Sequence, residues 1–150
     1  MRIAAAQTPE FREDVPGALG YLAGVMEQAR FEGASLLCLP EGFLQGYLTD
    51  GEAARRNALD LRSQRFVNLL DQLPERAPTT VVGLIEAEGD DLYNTAVVIF
   101  RRSVVGAIAS GICWAENVAF DQGTRCGPTT SKACASASTS VSTPTSPTPR

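Results

Sequence analysis

The sequence predicts a layered α/β domain built on a mixed sheet. Three observations carry that expectation. Short apolar runs alternate with longer segments whose apolar residues recur at helical spacing. The last two strand-like runs are separated by the turn residues Gly89-Asp90-Asp91, which indicates a hairpin. The resulting order, β-α-β-α-β-β, is that of a sheet covered by helices, and 150 residues can bury one sizeable core.

The elements follow in order. Residues 2–7 (Arg-Ile-Ala-Ala-Ala-Gln) read as a short buried strand. A helix is predicted from Pro16 to Glu32, with Leu19, Leu22, Ala23, Met26 and Ala29 on one face, Pro16 in its first turn and Gly33 as its stop. Ser35-Leu36-Leu37-Cys38-Leu39, bounded by Gly33 and Pro40, has the pattern of a fully buried strand. Asp60 is the expected N-cap of a second helix that buries Leu61, Phe66, Leu69, Leu70 and Leu73 and ends at Pro74. Thr79–Ile85 and Tyr93–Phe100 are the hairpin strands. From Thr129 onward Thr, Ser and Pro dominate without an apolar face, so 129–150 is expected to be a disordered tail behind a domain spanning 1–128.

A formal charge of −4, with no basic run, argues against nucleic-acid or anionic-membrane partners. No stretch is apolar enough for a membrane span or a signal-peptide core, and the expected location is cytoplasmic. The chain has no histidine, which excludes Ser–His–Asp, Cys–His and His-zinc sites. Cys38, Cys113, Cys126 and Cys134 show no paired CxxC spacing, so no metal is expected, and they read as free thiols; no cofactor is expected either.

The informative segment is Leu39-Pro40-Glu41-Gly42-Phe43-Leu44-Gln45-Gly46-Tyr47. Glu41 follows a strand at its carboxyl end, where α/β sheets commonly carry their sites. Held near the sheet's interior, such a carboxylate is suited to general-base work. Alone, Glu41 reads first as the leading polar residue of a loop. Around it stand the opening Arg-Ile-Ala-Ala-Ala-Gln strand, Leu-Leu-Cys-Leu-Pro-Glu followed by Gly46-Tyr47, Val-Val-Gly-Leu-Ile-Glu, and Leu-Tyr-Asn-Thr-Ala-Val-Val-Ile. The pattern resumes at Ala115–Thr124, with Glu116, Phe120 and Gly123 spaced Glu-x-x-x-Phe-x-x-Gly. In this order the chain resembles the amino-terminal half of the nitrilase superfamily of carbon–nitrogen hydrolases, over residues 2–106 and again over 115–124.

That resemblance implies a partial nitrilase-type α-β-β-α sandwich and a covalent mechanism on a small-molecule amide or nitrile. In the family a cysteine thiolate attacks the substrate carbon, a glutamate takes the thiol proton, and a lysine stabilises the oxyanion. Glu41 matches the general base and Glu116 a second, supporting glutamate; the two are expected close together, beside Tyr47. A homo-oligomer is also compatible with the resemblance.

The pattern breaks twice. After Val104-Val105-Gly106 the family runs Arg-Tyr-Arg-Lys and then His-Leu, whereas this chain reads Ala107-Ile108-Ala109-Ser110-Gly111-Ile112-Cys113. After Gly123-Thr124 the strand that ends in the nucleophile is replaced by the Ser/Thr/Pro-rich tail. Pairing the third base of each codon with the first two of the next permits Arg-Tyr-Arg-Lys-Arg-His-Leu-Leu across Gly106–Trp114. It permits Asp-Phe-Glu-Gly-Val-Arg-Phe-Gly-Ile-Asn-Ile-Cys-Leu-Asp-Thr-Asn-Phe-Pro-Asp-Ala-Ala across Thr129–Arg150. The expectation is a frameshifted, truncated chain: a carbon–nitrogen hydrolase by descent, inactive as written for want of its lysine and nucleophile. The alternatives are a non-catalytic remnant or binding module of α/β fold, and an unrelated flavodoxin-like or Rossmann-like α/β domain. The last is disfavoured by Gln7-Thr8-Pro9-Glu10 standing where a Gly-rich phosphate loop would follow the first strand.

Overall fold

The computed structural model describes residues 1–111 and the backbone of 125–126. The chain forms β1 (Ile3–Ala5), α1 (Val15–Phe31), β2 (Leu36–Cys38), α2 (Gly51–Asn57), α3 (Gln64–Leu70), β3 (Thr79–Glu88), β4 (Asp91–Phe100), β5 (Ser103–Gly111) and β6 (Arg125–Cys126). The strands make one mixed sheet in sequence order. β1, β2 and β3 are parallel neighbours, and β3 to β6 are antiparallel. The predicted mixed α/β sheet is therefore present. The expected tail from Thr129, with the domain limit at 128, lies outside the described residues.

α1 begins where Asp14 accepts a hydrogen bond from the Gly17 N–H at 3.0 Å. It ends in a Schellman motif: Gly33 takes φ +71°, its N–H donates to Arg30 O, and the Ala34 N–H donates to Ala29 O. Its buried face is Val15, Ala18, Leu19, Leu22, Met26 and Ala29, while Ala23 is only half-buried. This face packs with Phe66, Leu70 and Leu73 on Leu37, Val82, Leu84, Val97 and Ile99. These strand residues share one face of the sheet by their register and two-residue alternation. Near the far end of β3, Ala53 and Ala54 of α2 cover Ile85 and Leu92 on the opposite face.

Several expectations are corrected. The helix foreseen from Asp60 starts at Gln64 instead, with Ser63 as its N-cap, because Asp60 closes a preceding turn by accepting from the Arg62 N–H at 2.7 Å. α2, capped by Asp50, was not foreseen, since a seven-residue Gly-Glu-Ala-Ala-Arg-Arg-Asn helix shows no apolar periodicity. β5 was not foreseen either, and it runs through the segment 107–111 where the family pattern breaks. β1 and β2 are not fully buried strands. Leu37 is buried, but Leu36 and Cys38 are half-buried and Ile3 is 56% exposed, because the described helices cover only the other face there.

Candidate active site

The site is built where β2 stops and β3 continues. Beyond Cys38, the edge of β3 has backbone groups that a longer β2 would have paired. The loop that carries Glu41 supplies them. Leu39 N donates to Val81 O at 2.9 Å, and Leu44 N donates to Gly83 O at 3.1 Å. Gln45, fully buried, accepts from the Ile85 N–H at 2.9 Å and donates through Nε2 to Ile85 O at 3.1 Å. Leu59 then accepts from Ala87 N and donates to Ile85 O. A side-chain amide thus stands in for one residue of a missing strand.

Within that frame the Pro40–Gly42 segment lies on the sheet face opposite α1, over Gly83. Glu41 follows the carboxyl end of β2, as the sequence suggests. Its carboxylate accepts a hydrogen bond at 2.5 Å from Nδ2 of Asn94 on β4. The expectation that Glu41 is held near the sheet's interior is not met: it is exposed among the described residues, since its face of the sheet carries no described helix at that point. The turn closes by a Gly46 N to Gly42 O hydrogen bond of 2.8 Å, which returns the chain so that the Tyr47 backbone lies beside Gly42. Tyr47 is 64% exposed.

Asn94 is the register partner of Ser110 on β5, and the Ser110 hydroxyl donates to the Asn94 carbonyl at 3.5 Å. Glu41, Asn94 and position 110 therefore form a short row across the face. In the sequence Asn94 stands only within the Leu-Tyr-Asn-Thr-Ala-Val-Val-Ile motif, and its contact with Glu41 over 53 residues of separation had no local signal. Glu116 lies outside the described residues, as do Cys113 and Cys134. Cys38 is half-buried in β2 on the same face as Gly83. The sequence's one lysine, Lys132, also lies outside the described residues. No cluster able to hold a metal occurs among the described residues. No helix there is long and apolar enough to cross a membrane.

A carboxylate fixed at one oxygen by a neutral amide can accept a proton through the other.

Comparison with known proteins supplies the context. The family model for carbon-nitrogen hydrolase matches residues 2–125. The glutamine-dependent NAD(+) synthetases of Mycobacterium bovis and Mycobacterium tuberculosis are 33% identical over 89 residues, which is 57% of this chain and 13% of theirs. Among solved structures, the glutamine-dependent NAD+ synthetase of Acinetobacter baumannii superposes with a TM-score of 0.64 at 22% identity, over 82% of this chain and 24% of that one. An amidase from Nesterenkonia sp. gives 0.58 at 23% identity, over 83% of this chain and 49% of that one. These two structural likenesses establish the fold. The chain thus spans about an eighth of the mycobacterial relatives and at most half of these solved structures.

Proposed function

The chain belongs to the carbon–nitrogen hydrolase family, and from that premise we propose that it descends from an enzyme that cleaves a small-molecule amide or nitrile through a cysteine, with Glu41 as the general base. In that reaction Glu41 takes the thiol proton and the sulfur adds to the substrate carbon. Glu41 then gives that proton to the departing nitrogen as the C–N bond of an amide breaks to release ammonia, and water hydrolyses the thioester. Glu116 supports the site as a second carboxylate. The side-chain amide of glutamine is the first substrate to test, because the curated relatives are glutamine-dependent synthetases. The proposed location is the cytoplasm.

As written, the chain itself is proposed to be inactive. Among the described residues no lysine stands beside Glu41 to stabilise an oxyanion, and the one described thiol is Cys38, half-buried in β2. One relationship supports the frame reading most strongly. In the octapeptide that the shifted frame permits after Gly106, lysine is the fourth residue and falls at position 110. Position 110 is paired with Asn94, whose amide holds Glu41. The shifted frame therefore brings a cation to the same row as the proposed base, although nothing in the codon argument refers to the fold.

The test is ammonia release from glutamine and a panel of simple amides and nitriles. The chain as written is expected to give background rates. The frame-restored protein is expected to turn over, and Glu41→Gln in it is expected to abolish turnover, since an amide cannot take the thiol proton. Turnover by the uncorrected chain that falls on Glu41→Gln would instead require one of Cys38, Cys113, Cys126 or Cys134 as nucleophile.

A further inference from the structure

Glu41 is exposed, and a free glutamate on a surface samples many rotamers. Two features of the sheet restrict it. The first is Gly83, over which the Pro40–Gly42 segment rests on β3. A β-carbon there would come 2.5 Å from Pro40 O, 2.7 Å from Glu41 Cα and 2.7 Å from Gly42 N. All three are backbone atoms, so no side chain can swing aside to admit it, and the segment is tied on both sides by the Leu39–Val81 and Leu44–Gly83 hydrogen bonds. The second is Asn94, one strand further, whose Nδ2 reaches the carboxylate at 2.5 Å.

We propose that Gly83 and Asn94 are positioning residues for Glu41: the absent side chain at Gly83 sets how closely the glutamate backbone approaches the sheet, and the Asn94 amide sets the rotation of its carboxylate. With the amide on Oε1, Oε2 is the oxygen left to accept a proton. The functional meaning rests on the reading of Glu41 as a general base, whereas the geometry does not.

The side-chain amide of Asn94 in the full chain reports the contact. Its ¹H–¹⁵N resonance is expected to move as the pH is lowered through carboxylate protonation and to stay fixed in Glu41→Gln. It is expected to stay fixed in Gly83→Ala too, with the Val82–Val97 cross-strand contact retained. If Gly83→Ala loses that contact, Asn94→Ala carries the test. The two Glu41 γ-protons, expected to be well separated in the unsubstituted chain, are then expected to move toward a common shift. An Asn94 amide insensitive to pH, one that still responds in Gly83→Ala, or γ-protons unchanged by Asn94→Ala overturns the proposal. In the frame-restored protein, Asn94→Ala is expected to lower kcat about 100-fold with little change in KM. An unchanged kcat beside a dead Glu41→Gln variant refutes the positioning role, while turnover surviving Glu41→Gln refutes the base reading instead.

Discussion

The Gln45 side chain brackets Ile85, taking the Ile85 N–H on Oε1 at 2.9 Å and giving Nε2 to the Ile85 carbonyl at 3.1 Å. Gln45 is fully buried, so water cannot replace it. The Ile85 carbonyl keeps a second donor in the Leu59 N–H, but the Ile85 N–H faces Gln45 alone on that edge. Gln45→Leu preserves bulk and removes both hydrogen bonds, leaving a buried N–H without a partner. It is expected to destabilise the chain by about 1–3 kcal/mol. Urea unfolding followed by circular dichroism checks this, and an unchanged midpoint would contradict the role assigned to Gln45.

The cap of α1 makes a less obvious prediction. In a helix interior Gly→Ala normally gains about 1 kcal/mol. At Gly17 a β-carbon would fall 2.2 Å from Asp14 Oδ2, the carboxylate that accepts from the Gly17 N–H. The carboxylate must leave to make room, and the cap goes with it. Gly17→Ala is therefore expected to give no gain, and Asp14→Ala a loss of about 1 kcal/mol. Combining the two substitutions should restore much of the alanine's benefit, which a thermal-melt double-mutant cycle reads directly.

These particulars mark what the sequence could disclose. α1 was legible because its apolar residues repeat at helical spacing and Gly33 supplies the left-handed stop. The β3–β4 hairpin was legible because Gly89 lies at its turn with φ +62°. The β4–β5 hairpin was not. Its turn is Arg101-Arg102, both at positive φ, in place of the Asn or Gly that would have announced it. Arg102 is held there by donating to Leu73 O at 2.6 Å, a long-range contact without a local pattern. At the site, Glu41 was legible from its strand-Pro-Glu setting, while Asn94 and Gly83 act through register and close approach, which only the folded sheet creates.

The face that carries Glu41 also leaves apolar groups open among the described residues. Ile3 is 56% and Ile108 71% exposed, and Leu36, Val81 and Val98 are half-buried on the same side. Such a surface favours association at micromolar concentrations. Light scattering of the purified chain is expected to show concentration-dependent aggregates that Ile108→Lys reduces. A monodisperse monomer with a single cooperative melt would contradict this.

If the lysine and the nucleophile are encoded but read out of frame, the DNA across codons 106–150 carries both. The account predicts GCA for Ala109 followed by AGT or AGC for Ser110, so that the shifted triplet at that point is AAG, a lysine codon. It further predicts T as the last base of the Ser140 codon, which with the GT of Val141 spells cysteine. A Ser110 codon of the TCN type permits no lysine there and would contradict the account.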